Sequence, residues 1–412
     1  MKVLIVGCGI GGLATALSLH ERGIDCELYE QDSGIRELGV GINTLPHAVK
    51  ELADLGLLEQ LDAVGIRTYE LIMTNRLGQE IWRELRGMNA GYAVPQFSVH
   101  RGRLQGVLYD AVRVRLGAEA VHVGHRLEAF GQDPDAVRAR FVDRTGQPVA
   151  SVRGDVLIAA DGIHSVVRST RYPDEGPPRW NGVMMWRGAT DWPAFLTSRS
   201  MIIAGGTPAK LVLYPIAPGA TLETRLTNWA VCAQIAEPGT EPPRREDWSR
   251  LGRREDLAPY LELFDVRHVD LPGLVDATPQ FFEYPMCDRD PLPAWSFGRV
   301  SLLGDAAHPM YPMGSNGASQ AVLDARCLAR CLATEPDVVT ALRAYQDERL
   351  PMTAQIVQMN RTGGPERVID VVEALAPNGF QDIEDVITHG ELEAILKGYA
   401  TAAGFTREQV NR

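Results

Sequence analysis

Cysteine is scarce in this chain, which has six cysteines among 412 residues. The six form no CxxC pair and no cysteine/histidine spacing of the kind that binds zinc. They are also too sparse for a disulfide scaffold. We therefore predict neither a metal site nor a disulfide framework, and a reducing cytoplasm is the simplest compartment.

Basic residues are outnumbered, with 41 Lys and Arg against 53 Asp and Glu, for a net charge of −12. Clustered Lys and Arg supply most of the affinity for phosphate backbones, so this chain is a poor candidate for general nucleic-acid binding.

Long apolar runs are lacking too. No stretch reaches ~18 apolar residues, and the sequence predicts no membrane-spanning helix.

The remaining composition is that of a globular protein, with 45% hydrophobic and 23% charged residues. The length favours two or three domains. We find no internal repeat and no low-complexity tract.

The first 30 residues have the pattern of a βαβ unit. Four consecutive apolar residues, 3–6, predict a buried strand, a glycine-rich turn follows, and the helix 13–22 ends at Gly23 before a second strand over 26–30. Gly7, Gly9 and Gly12 fit the GxGxxG fingerprint of a dinucleotide site. The first allows the tight turn, the second lets a pyrophosphate approach the backbone, and the third lets helix and strand pack closely.

Glu30 ends the second strand, where a carboxylate can accept hydrogen bonds from ribose hydroxyls. The simpler alternatives are a glycine-rich turn without a ligand and a solvated acid at a strand end. There is one such fingerprint and no redox cysteine pair. A reductase that binds two nucleotides would usually have both.

Three further segments carry chemistry. Residues 101–108 begin with Arg101 and place Leu104 and Leu108 on one helix face. Residues 161–168 begin with Asp161-Gly162, and residues 304–309 begin with Gly304-Asp305. Asp161 could instead be a helix N-cap, and Asp305 a turn former. His308 suits a structural hydrogen bond better than general-base catalysis, because no second acid or ligand stands at a telling spacing.

In this order and at these separations, the segments resemble the single-component flavoprotein aromatic hydroxylases, the family of para-hydroxybenzoate and salicylate hydroxylases. The resemblance spans about residues 2–360, and residues 38–43, 185–188, 284–293 and 310–320 also carry it. It implies a Rossmann-like fold and bound FAD.

The resemblance also assigns cofactor contacts to individual residues. The ADP half of FAD would lie on the glycine turn and Glu30, the phosphates and ribityl chain near Arg101, Gln105 and Asp305, and the flavin ring along residues 312–319. The full predicted set is Gly7, Gly9, Gly11, Gly12, Glu30, Gly41, Arg101, Gln105, Leu127, Asp161, Gly162, Gly304, Asp305, Pro312, Gly317, Ala318 and Ser319. Many family members have Asn where this chain has Ser319, which puts a side-chain contact to the flavin there in doubt.

The implied reaction is hydroxylation of a small aromatic or heteroaromatic compound, with NAD(P)H and O2 as co-substrates and a flavin hydroperoxide as the oxygen donor. A carboxylate substrate is one option, with or without decarboxylation. The predicted substrate wall comprises Trp186, Arg187, Tyr214, Pro215, Tyr311 and Met313. Core packing is the alternative for Trp186 and Tyr214, and an interdomain salt bridge for Arg187. Rival functions are a flavin-dependent reductase of the same fold and a non-catalytic flavoprotein that sequesters an aromatic ligand.

The predicted architecture is α/β (α+β). A Rossmann-like FAD-binding domain with a parallel sheet takes residues 1–69, 98–177 and 289–345. A sheet-rich substrate domain takes 70–97 and 178–288, and a helical tail takes 346–412. We expect a monomer or homodimer that acts on a small aromatic, without nucleic acid or membrane.

Overall fold

The structure is a computed structural model that describes residues 1–35, 39–244 and 250–412. Leu38, within one segment of the family resemblance, and Trp248, in the predicted substrate domain, lie outside the described residues.

Nineteen strands and twelve α-helices are formed by the described residues. The strands are β1 (Lys2–Val6), β2 (Asp25–Glu30), β3 (Gly41–Thr44), β4 (Gly65–Arg67), β5 (Glu70–Thr74), β6 (Glu80–Leu85), β7 (Phe97–His100), β8 (Val121–Val123), β9 (Arg126–Gln132), β10 (Val137–Val142), β11 (Pro148–Gly154), β12 (Val156–Ala159), β13 (Arg179–Pro193), β14 (Ser200–Ala204), β15 (Ala209–Pro218), β16 (Thr224–Gln234), β17 (Phe281–Asp288), β18 (Ser296–Phe297) and β19 (Val300–Leu302). The helices are α1 (Ile10–Glu21), α2 (Pro46–Asp54), α3 (Leu58–Val64), α4 (Arg101–Leu116), α5 (Val166–Arg171), α6 (Arg254–Leu261), α7 (Leu271–Asp276), α8 (Gly317–Thr334), α9 (Val338–Arg361), α10 (Arg367–Leu375), α11 (His389–Ala402) and α12 (Arg407–Val410). Short 3-10 helices cover Gly87–Ala90, Ala118–Ala120, Gly304–Ala306, Met313–Ser315, Gly364–Glu366 and Ile383–Asp385.

A six-stranded sheet of order β18-β19-β12-β1-β2-β8 combines strands from the first 160 residues with two strands near residue 300. All its pairings are parallel except that of β18 with β19. The central strand β1 is an unbroken apolar run, as expected for a strand covered on both faces. The carboxyl ends of β1, β2, β12 and β19 therefore meet at one edge, where an open α/β sheet binds its ligands.

A seven-stranded mixed sheet of order β17-β13-β16-β15-β14-β5-β6 forms the second layer. One face packs on α6 and α7 through a core that includes Trp186, Leu211 and Trp229. The opposite face carries two clusters that also contain residues of the chain after position 310. Because successive side chains of a strand alternate between faces, each strand contributes to both layers.

The predicted α/β (α+β) class and the helical C-terminal region agree with this architecture. The domain boundaries stay a prediction. Two short helices, α6 and α7, were not expected in the sheet-rich region, since residues 178–288 were predicted mainly from their strand-like runs. None of the described helices is long and apolar enough to cross a membrane.

Candidate active site

The glycine turn after β1 has the geometry that the fingerprint predicts. Gly7 has φ +101°, and a Cβ there would lie 2.4 Å from the carbonyl oxygen of Ala160. A Cβ on Gly12 would lie 2.0 Å from the oxygen of Gly7, and one on Gly11 would lie 2.9 Å from a methyl of Leu303. At Gly9, by contrast, a Cβ would meet no protein atom within 4 Å, so the backbone faces open space at the start of α1.

The start of α1 presents free backbone N–H groups without a competing side chain. Gly9 is its N-cap and makes no side-chain cap, and no acidic residue lies in the first turn. The first N–H groups of a helix have no partner within the helix, and its dipole favours an anion there. This end of α1 can therefore hold a pyrophosphate.

Glu30 and Gln105 converge on Cys8 in the glycine turn. One carboxylate oxygen of Glu30 accepts the Cys8 N–H at 2.9 Å, and the other accepts the Asp32 N–H at 2.9 Å. The Gln105 side-chain amide, on α4, donates to the Cys8 carbonyl at 2.7 Å. The Glu30 carboxylate is thus fixed beside the turn, and its remaining lone pairs can accept ribose hydroxyls.

Asp161 follows β12 and holds the start of α5. Its Oδ2 accepts the N–H of Val166 at 2.8 Å, whereas its buried Oδ1 has no hydrogen-bond partner in the described structure. Desolvation raises the pKa of Asp161 despite the hydrogen bonds that oppose it. Gly162, next in the chain, has φ +76°. The N-cap of α5 is Ser165 rather than Asp161, whose Oδ2 supports the first turn of the helix from outside. The Oδ1 of Asp161 remains available to a ligand.

Asp305 and Arg101 face one another across the cleft. Both side chains are accessible to solvent, yet desolvation raises the pKa of Asp305 and lowers that of Arg101, with each opposing the other's shift. A side chain can be both accessible to solvent and partly desolvated when it lines a deep cleft. Gly304 precedes Asp305 in the left-handed region, with φ +60°.

A buried polar network fixes the Gly304–Ala306 turn from below. Asp324 lies 2.5 Å from the Nε2 of His308, and it accepts the N–H of Gly304 at 3.2 Å and the Nε–H of Arg349 at 2.7 Å. This gives His308 the structural role that the sequence favoured.

These residues fit an FAD molecule. Gly9 leaves room at the helix start, and among the residues that the structure describes the Oδ1 of Asp161 has no partner. Asp305 and Arg101 are desolvated, and no hydrogen bond or ion pair between their side chains is formed in that part of the chain. Gly9, Asp161 and Asp305 follow the carboxyl ends of the parallel strands β1, β12 and β19, where a dinucleotide is expected. Arg101 begins α4 after β7, which belongs to a separate antiparallel sheet.

The predicted flavin-ring residues lie at the start of α8. Asn316 is the N-cap without a side-chain cap, so the N–H groups of Gly317, Ala318 and Ser319 are free for a ligand. The Ser319 hydroxyl accepts the backbone N–H of Leu45 at 3.2 Å and is fully buried. Pro312 is exposed, immediately before this turn.

Two predicted cofactor residues, Gly41 and Leu127, are packed against other parts of the protein. Gly41 accepts a hydrogen bond from Arg187 through its carbonyl and donates its N–H to the Asn228 side chain at 2.8 Å. A Cβ on Gly41 would lie 2.7 Å from the Tyr214 ring, so glycine permits close contact with the large sheet. The Leu127 side chain, on β9, is buried in the hydrophobic core around the six-stranded sheet, so the structure does not bring it to the cleft.

The predicted substrate wall is divided by strand alternation. Trp186 packs on α6 and α7, stacks on Tyr260 and donates to Glu283, on the face away from the cleft. The Trp186 ring thus occupies a core position, which is the alternative that the sequence left open for it. Pro215 lies between Tyr214 and Ile216, which share the cleft-facing side, and alternation directs it the other way.

The other four wall residues are on the cleft-facing side. Tyr311 and Met313 join a cluster that also contains Met185, Tyr284 and Met286. Arg187 of β13 donates to the Tyr284 hydroxyl at 3.0 Å and to the Gly41 carbonyl of β3. It therefore joins the seven-stranded sheet to the short antiparallel sheet of β3, β7 and β4 through hydrogen bonds rather than the salt bridge considered above. Burial raises the pKa of Tyr214 to about 12, and this phenol stays neutral near pH 7.

A cavity of about 370 Å³ opens beside the turn at Gly314 and Ser315. Its walls are mainly apolar, and charged side chains stand among its lining residues. The apolar lining includes Leu45, Pro46, Leu71, Met73, Met201 and Ile203. The charged lining residues are the cations Arg86, Lys397 and Arg407 and the acids Glu84, Glu366, Glu393 and Glu408. None of the six predicted wall residues lines this cavity.

Sequence reasoning missed the residues around this cavity. Asn43 donates to the Ser315 hydroxyl at 3.3 Å and accepts from Ser98 at 2.7 Å. Arg86 lies at the end of β6, and its buried Nε has no hydrogen-bond partner in the described structure. Asn43 and Ser315 stand in segments that carried the family resemblance, but Arg86 follows an ordinary edge strand and had no sequence signal.

Comparisons with known proteins agree with the geometry of the cleft. The family described as "FAD binding domain" matches residues 1–265 and 275–360. The phenazine 1,6-dicarboxylic acid hydroxylase of Lysobacter antibioticus is 43% identical over 87% of this chain and 89% of its own length. The 3-hydroxybenzoate 6-hydroxylase 1 of Aquipseudomonas alcaligenes is 33% identical over 87% of this chain and 88% of its own.

A solved structure shares the fold at low sequence identity. Klebsiella pneumoniae HpxO, complexed with FAD and uric acid, superposes with a TM-score of 0.75 at 23% identity. The match covers all of this chain and 96% of that one.

Proposed function

We propose a substrate class for this chain, which belongs to the FAD-binding domain family. The chain is an FAD-dependent aromatic monooxygenase that uses NAD(P)H and O2. Its proposed substrate is a fused heteroaromatic carboxylic acid of the phenazine class, into which it inserts one oxygen atom. The cavity beside Gly314 and Ser315 carries this proposal through its apolar walls and the buried Nε of Arg86, which has no hydrogen-bond partner in the described structure.

The size and walls of the cavity favour a flat molecule of several rings. Its volume of about 370 Å³ lies within the range of ~300–1,000 Å³ common for small-molecule sites. Leu71 and Met73 of β5 and Met201 and Ile203 of β14 form an adjoining apolar surface. Methionine side chains adapt to the faces of aromatic rings, with which their sulfur makes favourable contacts.

Arg86 is the proposed anchor for the substrate carboxylate. One Nη of its guanidinium lies 2.5 Å from Glu84, which fixes the side chain, while the buried Nε keeps a free donor. The planar fork of an arginine matches a carboxylate in two parallel hydrogen bonds. A neutral aromatic would leave this donor unsatisfied.

Similarity to phenazine enzymes supports the same class. The relative from Lysobacter antibioticus is named for a phenazine dicarboxylic acid. The segments 38–43, 185–188, 284–293 and 310–320 also resemble 5-methylphenazine-1-carboxylate 1-monooxygenase of phenazine biosynthesis. The name of that enzyme places its reaction at the ring carbon that carries the carboxyl group. A product in which hydroxyl replaces this carboxyl group is therefore one to test for.

We further propose that the residues predicted from sequence hold FAD, with Leu127 contributing backbone atoms alone. FAD, when bound, supplies the redox and oxygen chemistry. The free N–H groups of α1 hold its pyrophosphate, Glu30 its ribose, and Asp305 and Arg101 the chain between the phosphates and the ring. The free N–H groups at the start of α8 stabilise negative charge near the ring, and the apolar cavity excludes water. A cytoplasmic location and a monomer or homodimer stay predictions from sequence.

The test is product analysis with the purified FAD-loaded protein. NAD(P)H oxidation is followed with phenazine-1,6-dicarboxylate, phenazine-1-carboxylate, salicylate and 3-hydroxybenzoate, and products are identified by mass spectrometry. We expect a phenazine product that has gained one oxygen, with or without loss of carbon dioxide. A gain of two hydrogens would favour the reductase, and tight binding without turnover would favour the sequestering flavoprotein.

The carboxylate anchor has its own test. Arg86→Gln should raise the KM for the phenazine carboxylate by roughly 10- to 100-fold, because a hydrogen bond to a charged group is lost. Arg407→Gln removes another cation from the cavity lining, one that is largely exposed, and should have little effect. Equal effects of the two variants would reject Arg86 as the anchor.

A further inference from the structure

The loop 311–316 contains a strained turn beside the cavity. Gly314 has φ +67° and Ser315 has φ +55°, so two consecutive residues lie in the left-handed region. A non-glycine residue rarely adopts this conformation. Such a conformation persists where surrounding contacts over-determine it, and it often marks a functional site. The contacts that hold this loop come largely from the C-terminal tail.

Tyr399 of α11 and Asn360 of α9 bind the loop from one side. The Tyr399 hydroxyl lies 2.9 Å from the Oδ1 of Asn360 and 3.1 Å from the carbonyl oxygen of Met313, and its single proton serves these two acceptors. The same hydroxyl accepts a hydrogen bond from the Asn316 side chain at 3.2 Å. Asn360 in turn donates to the Tyr311 carbonyl at 2.8 Å. All these tail atoms are buried, so the contacts are shielded from water.

Glu366 binds the centre of the loop. Its Oε1 accepts the N–H of Gly314 at 3.1 Å, and its Oε2 forms an ion pair with Lys210. Both members of the pair are buried, and Lys210 lies on β15 in the middle of the seven-stranded sheet. A buried charge requires its partner, because an uncompensated charge in the interior is strongly unfavourable. The pair therefore fixes Glu366 between the sheet and the loop.

Close packing accompanies these polar contacts. A Cβ on Gly314 would lie 2.6 Å from a ring carbon of Tyr399, and a Cβ on Gly364 would lie 3.0 Å from the Cβ of Met313. The loop and tail thus approach at distances that glycine alone permits. The tail therefore contributes directly to the shape of the loop.

We propose that Asn360, Glu366 and Tyr399 are positioning residues that hold the loop 311–316 against the flavin and the substrate cavity. The proposal rests on the proposed function in one respect, the placement of the loop beside both ligands. A displaced loop would admit water to the cavity, and a small misplacement of reacting groups lowers the rate of the productive step. Coupling of NAD(P)H oxidation to hydroxylation therefore depends on the tail.

The test compares Tyr399→Phe with a matched change on the same helix. Thr388→Ala removes the capping box of α11, in which the Thr388 hydroxyl accepts from Glu391, and it touches no residue of the loop. Amide hydrogen exchange of the peptide containing Gly314 and Ser315 is measured with and without FAD. The fraction of NAD(P)H electrons recovered as hydrogen peroxide is measured during turnover.

In Tyr399→Phe we expect loop exchange about five-fold faster, the factor for one net hydrogen bond, and a clear rise in the peroxide fraction. Thr388→Ala should lower the melting temperature and leave both the loop exchange rate and the peroxide fraction at wild-type levels. If exchange and peroxide stay at wild-type levels in Tyr399→Phe, or if Thr388→Ala alters both equally, the positioning role is wrong. Should Tyr399→Phe not fold, Asn360→Ser removes the contacts of Asn360 while the aromatic packing stays. A wild-type protein that hydroxylates no aromatic would reject the proposed function, and loop exchange would still decide the role of the tail.

Discussion

The buried side chain of His47 should make the stability of this protein depend on pH. His47 lies in α2, its Nδ1 has no hydrogen-bond partner in the described structure, and its Nε2 is 3.4 Å from the Nε2 of Gln320. Desolvation, with a smaller contribution from the charge of Arg349, lowers the pKa of His47 from 6.5 to about 3. The imidazole is therefore neutral in the folded protein at pH 5.

In the unfolded chain the same imidazole takes up a proton near its ordinary pKa of 6.5. Between this value and about pH 3, the unfolded chain binds more protons than the folded one, so stability falls as the pH falls. Moving from pH 7 to pH 5 should cost about 2 kcal/mol from this group alone. The figure hardly changes if the folded pKa is anywhere below about 4, because the folded imidazole is then still neutral at pH 5.

Urea unfolding of the FAD-loaded protein at pH 7 and pH 5 measures this contribution. His47→Gln is the comparison, since its side-chain oxygen can accept from Gln320 but does not titrate. Wild type should lose about 2 kcal/mol more than the variant between the two pH values, because all other titrating groups contribute to both proteins. If the two losses agree within about 0.5 kcal/mol, the folded imidazole is protonated or solvated and the reasoning fails.

Three further changes test the site. Gly12→Ala places a Cβ 2.0 Å from the Gly7 oxygen and should prevent folding. Gly9→Ala places its Cβ more than 4 Å from every described protein atom beyond its neighbours in the chain, so this variant should fold but should raise the Kd for FAD by roughly 10-fold or more. Circular dichroism measures folding and flavin fluorescence measures FAD binding, and unimpaired FAD binding by Gly9→Ala would contradict the pyrophosphate position. Asp324→Asn leaves Arg349 without its buried counter-charge and should lower the free energy of unfolding by about 3 kcal/mol, read from urea midpoints. Trp186→Phe should cost about 1–2 kcal/mol of stability but leave the KM for the aromatic substrate within about two-fold, because its ring lies on the far face of the sheet; a larger change in KM would mean that the ring reaches the cavity.

The signals for the proposed cofactor half of the site are local. Gly7, Gly9 and Gly12 act through their own backbone, and a strand before and a helix after them fix the turn. Asp161 and Asp305 each follow a buried apolar strand, and the carboxyl ends of parallel strands meet at one edge. Leu127 is the exception, because a side chain deep in the core gives the same sequence pattern as one at a cleft.

The substrate half could not be predicted to the same degree, because it depends on which face of a strand a residue occupies. Trp186 and Arg187 are adjacent, yet one packs under the sheet and the other reaches Gly41 across the cleft. A shift of one residue in register exchanges the two faces. Within β13 both faces are buried, so the sequence lacks the polar–apolar alternation that would have told them apart.

The tail was unpredictable for a different reason, which also explains why its role is specific. Tyr399 lies more than eighty residues after Met313 in the sequence, and its hydroxyl matters because Gly314 leaves space for the ring. A family motif identifies the loop but not the residues that hold it, since any buried polar group of suitable geometry can satisfy the same carbonyl. In this chain the loop needs residues that hold it, because Ser315 keeps a left-handed conformation although it is not glycine. A glycine here would adopt the left-handed conformation without strain. The Ser315→Gly variant should therefore depend less on Tyr399 than the wild-type chain does, so Tyr399→Phe should speed amide exchange of the loop less in that background.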